Sequence, residues 1–109
     1  MRIDFNSMPE NEIKSFQGGE GSVLQKLFKD GAVKIMMMRV RPGCTVGLHT
    51  HSSNREIEYI ISGHGKAICD GKEEALEPGV CHYCPCGSSH TVICEGNEDL
   101  VFFAVVPEI

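Results

Sequence analysis

The run from Gly43 to Gly63 constrains this chain more than any other: Gly43-Cys-Thr-Val-Gly-Leu-His49-Thr-His51-Ser-Ser-Asn-Arg-Glu56-Ile-Glu-Tyr-Ile-Ile-Ser-Gly63. Its two histidines stand at i and i+2. On an extended strand that spacing puts both imidazoles on one face. On a helix they would point roughly 200° apart. A polar turn, Ser52 to Arg55, separates them from Glu56, which opens an apolar run, Ile57 to Ile61. If that run folds back against the histidine strand, Glu56 returns beside His49 and His51. Two imidazoles and a carboxylate are what a borderline divalent metal asks for.

The rest of the chain also reads as strands. Ser22 to Phe28, Ala32 to Val40 and Thr45 to Thr50 precede Glu56 to Ser62. Lys66 to Cys69, Lys72 to Leu76, Val80 to Cys84, His90 to Cys94 and Leu100 to Val106 follow it. Turn residues part them, and Asp70-Gly71 is the clearest two-residue hairpin signal. Short strands at regular spacing, with no helical period, predict an all-β sandwich or barrel. Residues 1–16 carry Pro9, several acids and a few scattered apolar residues, and read as an N-terminal arm with room for one short strand. Residues 17–109 read as a single domain.

A second stretch, Gly79-Val-Cys-His-Tyr-Cys-Pro85-Cys-Gly87-Ser-Ser-His90, ends in a histidine just after a Pro/Gly turn. Together the two stretches resemble the two sequence motifs of the cupin family. Gly43, His49, His51, Glu56 and Gly63 fill every fixed place of the first. Gly79, Pro85, Gly87 and His90 fill the second, and Cys94 stands where the family usually has Asn. That Asn is not a metal ligand in the family pattern. The resemblance implies a double-stranded β-helix, or jelly-roll barrel, with a divalent transition metal held inside by His49, His51, Glu56 and His90. Three neutral ligands and one carboxylate leave a divalent ion net positive charge. An octahedral ion would keep two open positions for water or a bidentate substrate. The ligand set suits Mn, Fe, Co, Ni, Cu or Zn.

Two functions from different classes follow. One is a metal-dependent enzyme on a small organic substrate; the resemblance implies dioxygenase, isomerase, decarboxylase or lyase chemistry. The other is a module that binds a metal or small ligand without turnover. Glu58 separates them. By alternation it points where Glu56 points, so it is the candidate general base, or a partner that orients His49 or His51. The bland reading turns it to solvent by local twist. His82 and Tyr83 are neighbours on one strand, so only one can face inward, where it could sit at the mouth. His64, between two glycines, reads as an exposed turn residue. Met36-Met-Met38 reads as core or interface packing.

Cys81-x-x-Cys84-x-Cys86, with Cys94 beyond, looks like half a zinc knuckle, but buried packing is the default for cysteines on strands. Cys84 or Cys86 is also the candidate for a thiol reaching an open metal position. No apolar leader is visible at Met1 to Ser7, so the six cysteines read as reduced thiols of a cytoplasmic protein. A net charge of −5 argues against nucleic acid. No apolar run is long enough to span a membrane. Ile57, Tyr59 and Ile61 form an apolar outward face, which predicts a homodimer with the arm pairing across it.

Overall fold

Period-two alternation folds this chain into strands almost throughout. The computed structural model describes residues 1–109. In chain order the strands are β1 (Asn11–Lys14), β2 (Ser22–Lys29), β3 (Val33–Val40), β4 (Thr45–Thr50), β5 (Glu56–Ser62), β6 (His64–Cys69), β7 (Lys72–Leu76), β8 (Cys81–Cys84), β9 (Ser89–Glu95) and β10 (Leu100–Pro107). Single turns of 3-10 helix stand at Phe5–Ser7 and Phe16–Gly18. The strand inside the N-terminal stretch is β1, which pairs with β2 of its own chain. His64 is the first residue of β6 rather than a turn residue, though its side chain is exposed. Asp70 and Gly71 close the β6–β7 hairpin with φ of 49° and 82°. These two left-handed positions are what a two-residue turn of this kind needs. No helix is long and apolar enough to cross a membrane.

The strands form two antiparallel sheets that face each other. One has the order β1-β2-β3-β10-β5-β8 and the other β4-β9-β6-β7. This is the all-β jelly-roll barrel. Its core lies between the sheets and includes Val23, Val40, Ala67, Leu76, Val92, Leu100 and Phe102. Burying a side chain such as Phe102, Ile60 or Leu100 stabilises the fold by about 1.5–3 kcal/mol each.

Strand register grades the interior from apolar to polar. Val23, Val40 and Leu100 form one buried row across the larger sheet. The next row is Gln25, Met38, Phe102 and Ile60. The row after that is Leu27, Met36, Ala104, Glu58 and His82. Met36 and Met38 are buried core residues, as their run suggests, and the Gln25 amide donates to the Met36 sulfur at 3.2 Å. Polar residues therefore gather at one end of the barrel.

Candidate metal centre

His49 and His90 are far apart in sequence but directly opposed in the β4–β9 pairing. That single register places one histidine from each motif side by side. The alternation of β4 breaks on the way. Thr45 and Val46 pair with Ile93 and Val92, while His49 pairs with His90, so β4 carries one residue more than β9 between them. Such a bulge re-aims the side chains that follow it. Val46 and His49 thus both face inward although they lie an odd number of residues apart, and Leu48 is left in solvent. The signal was present in the sequence as Gly47 inside a strand. A Cβ at Gly47 would stand 2.1 Å from the Gln17 carbonyl oxygen, so the close approach of the Phe16–Gly18 turn needs glycine there.

His51 lies one residue past the end of β4. Its backbone is held nonetheless: its N–H donates to Ser88 O at 3.0 Å, and Gly87 N–H donates to its carbonyl at 2.6 Å. Gly87 has φ of 92°, a left-handed conformation that lets this turn close onto the His51 loop.

Glu56 does not return by a hairpin. β5 pairs with β10 and β8, whereas β4 pairs with β9 in the other sheet. The turn after His51 carries the chain across the barrel, and Glu56 meets the histidines from the facing sheet. The carboxylate is therefore brought in by sheet-on-sheet packing, not by strand pairing.

The donor atoms converge. The His49, His51 and His90 Nε2 atoms stand 3.1–3.2 Å from one another. Glu56 Oε1 is 3.0 Å from His51 Nε2 and 3.1 Å from His90 Nε2. All four donor atoms lie within 4.8 Å of one another. Donors about 2.0–2.1 Å from a shared ion stand about 3.0 Å apart at right angles and about 3.4 Å apart in a tetrahedron. The observed spacings lie in that span.

Each ring also has a polar partner behind its Nδ1. His49 Nδ1 donates to Gly47 O at 2.8 Å. His51 Nδ1 donates to Asn54 Oδ1 at 2.5 Å, and the Asn54 amide nitrogen turns the other way, to Glu108. His90 Nδ1 stands 2.9 Å from His82 Nε2, whose own Nδ1 is 2.8 Å from Glu74 Oε1. With each Nδ1 occupied behind, the three Nε2 atoms all point at one space, and for His49 and His51, whose partners can only accept, what points there is a lone pair. Lone pairs cannot bond one another, so only a proton or a cation reconciles them. The electrostatics of the cluster divide its members. The hydrogen bond to Glu56 raises the pKa of His51, and burial lowers that of His49. Burial pushes the Glu56 carboxyl up, but hydrogen bonds from His51 and His90 outweigh it and hold Glu56 far below the usual carboxylate range. A divalent cation would satisfy all four donors at once. The cluster could therefore bind a metal.

Glu58 faces inward beside Glu56 and is 2% exposed. Its Oε1 has no hydrogen-bond partner. Burial first, and the neighbouring Glu56 second, push its carboxyl well above the usual range. A cavity of about 360 Å³ reaches both carboxylates and is lined further by His49, His51, Met36, Phe102, Lys29 and Lys34.

His82, not Tyr83, is the inward residue of β8, but it lies behind His90 rather than at the mouth, and is fully buried. The cysteine run does not assemble. Cys81 and Cys84 lie an odd number of residues apart on a strand, so Cys81 is exposed while Cys84 is buried. The Cys84 thiol turns to Ser88 O, and Cys86 lies outside, against Ser52 O. Neither thiol joins the four-residue cluster. All six cysteines are free.

Comparison with known proteins agrees with this picture. A family model described as a cupin domain matches residues 36–106. A Thermotoga maritima protein named oxalate-binding protein is 30% identical over 97% of this chain and 93% of its own. A solved Thermotoga maritima structure, described as a predicted oxalate decarboxylase, superposes with a TM-score of 0.94 at 29% identity over 100% of both chains. The cupin domain of Schizosaccharomyces pombe Cnp3 shares the fold, with a TM-score of 0.81 at 11% identity over 99% of this chain and 74% of that one.

Proposed function

This chain belongs to the cupin family, and from that premise we propose that it is a divalent-metal cupin acting on a small chelating organic acid. The observation that carries the reading is the convergence of three imidazole lone pairs and the Glu56 carboxylate, each ring fixed from behind. His49, His51, Glu56 and His90 would hold the ion. When bound, the ion supplies Lewis-acid polarisation of a carboxylate or carbonyl. Lys29 and Lys34 line the same cavity and favour an anionic ligand in a chain whose net charge is −5. The descriptions of the Thermotoga maritima relative and of the Thermotoga maritima structure support the same class, small dicarboxylates such as oxalate.

Glu58 is the residue that favours turnover over storage. A site that only holds an ion gains nothing from a second buried carboxyl, and desolvation disfavours one. A catalyst gains a group that exchanges a proton with the substrate at its unpartnered Oε1. The relative named for binding favours the second reading, a carboxylate-binding module without turnover. Elemental analysis of untagged protein should find about one divalent ion per chain, as a single four-residue donor set requires. Calorimetry should then show oxalate binding to the ion-loaded chain and none to the stripped one. Equal binding by both would sink the metal reading.

The outward residues of β5 and β8 support a homodimer as the working form. Ile57, Tyr59, Ile61 and Tyr83 are each 39–48% exposed and lie on adjacent strands. The N-terminal segment covers the sheet only farther over, where Phe5 meets Phe103 edge to face. A second copy of the chain is the occupant we assign to the uncovered part. The free thiols support a reducing, cytoplasmic setting.

A further inference from the structure

Resting on the metal reading above, we propose that His82 and Glu74 are positioning residues. They hold the His90 ring with its Nδ1 proton turned away from the cluster and its Nε2 lone pair turned into it, and so set how tightly the site holds a divalent ion.

His82 is fully buried on β8, whose other inward residue is Cys84. Burying an imidazole is costly unless both ring nitrogens find partners. Both do: Nε2 is 2.9 Å from His90 Nδ1 and Nδ1 is 2.8 Å from Glu74 Oε1. The rings of His82 and His90 lie edge to edge and nearly coplanar, with centroids 5.2 Å apart and an interplanar angle of 23°, as an in-plane bond between ring nitrogens requires. The hydrogen bonds have only one direction that suits a metal. The Glu74 carboxylate accepts, so His82 Nδ1 carries the proton. A neutral His82 then offers a bare Nε2, which accepts from His90 Nδ1. His90 Nε2 is left unprotonated, facing His49, His51 and Glu56.

The other two histidines need no such chain. A backbone carbonyl and an amide oxygen stand behind them, and both only accept. His82 is different in kind, because an imidazole nitrogen can donate or accept. Glu74, reaching in from β7 at the barrel surface, removes that ambiguity. Its side chain is 46% exposed, so the support behind His90 begins in solvent and ends at the cluster.

The test titrates cobalt(II), against a competing chelator, into the metal-free full-length chain and its variants. His82→Phe keeps a flat ring and removes the acceptor. It should weaken cobalt affinity by about 10- to 100-fold, as is usual when the partner behind a metal ligand is lost. His82→Gln, whose amide oxygen can accept the same bond, should recover most of that loss. Glu74→Gln changes a half-exposed side chain and should weaken affinity in the same direction by less. Nitrogen-15 NMR of the ring nitrogens gives a reading that needs no metal: His82 should carry its proton on Nδ1 and have a bare Nε2. A folded His82→Phe chain with wild-type cobalt affinity overturns the proposal, as does a His82 ring protonated on Nε2. If His82→Phe does not fold, Glu74→Gln decides, and unchanged affinity there overturns the proposal. A wild-type chain that binds no cobalt overturns the metal reading instead, and the His82 tautomer then still decides whether His90 is positioned as argued.

Discussion

The two faces of β5 are the reverse of what burial alone would choose. Glu56 and Glu58 point into the barrel and are 7% and 2% exposed, while Ile57, Tyr59 and Ile61 point out at 39–48%. Taking an ionised carboxylate out of water costs several kcal/mol even after relaxation. Leaving an isoleucine in water forgoes about 1.5–3 kcal/mol. A strand selected only for stability would exchange these residues. The inner half of the inversion has an explanation in the structure, since Glu56 faces a histidine cluster that could hold a cation. The outer half calls for a partner surface. A candidate metal cluster on the inside and an exposed apolar face on the outside thus share one strand, and period two keeps them apart.

The strongest way to break the inner half is to remove the histidines. His49→Ala with His51→Ala deletes two of the four donors. Elemental analysis should find no bound divalent ion, and an unchanged metal content would locate the site elsewhere. Next in size is Glu58→Gln. It should keep the ion and lower kcat by about 10²- to 10⁴-fold on a substrate found by screening, the usual contribution of a positioned acid or base. Unchanged kcat would remove Glu58 from the mechanism. Loss of the ion would make Glu58 part of the metal shell.

The same residue gives a pH test. Burial, then the charge of Glu56, hold the Glu58 carboxyl well above its ordinary value of 4.5. The native state therefore binds that proton more tightly than the unfolded chain does. The resulting stabilisation is complete below about pH 4.5 and is lost as pH rises through the folded value. In metal-free protein the Tm of wild type relative to Glu58→Gln should fall as pH is raised from 4.5. A difference that stays flat would mean that the carboxyl is solvated.

The outer half is tested by charge. Ile57→Lys with Tyr59→Lys should reduce the light-scattering mass from that of a dimer to the 12.0 kDa of one chain, with the metal content unchanged. A wild-type chain already at that mass would remove the association argument. The smallest effect sharpens the comparison on the neighbouring strand, β8. Cys81 faces out and should react quickly with a thiol reagent, as should the exposed Cys86. Cys84 faces in, where burial and then Cys69 push its thiol up to about 12, and it should react only on unfolding. Equal rates for Cys81 and Cys84 would mean that β8 does not alternate as described.

Much of this was legible before any coordinates. Short strands, the Asp70-Gly71 hairpin and the alternation of β5 are local properties, encoded within a few residues by side-chain period and turn preference. The four candidate ligands could be named because their spacing follows two motifs. What decided how they meet was tertiary. The bulge at Gly47 resets the phase of β4, the β4–β9 register sets His49 against His90, and the crossing from β4 to β5 makes Glu56 approach from the opposite sheet. Spacing along a chain says nothing about which strand will be a neighbour, so the fold-back considered for Glu56 gives way to an approach from the facing sheet. His82 marks the same boundary. Alternation could say that one of His82 and Tyr83 faces inward, but only the packing of β8 against β9 and β7 put it between His90 and Glu74. A hydrogen bond between side chains from different strands depends on distances that no single segment contains.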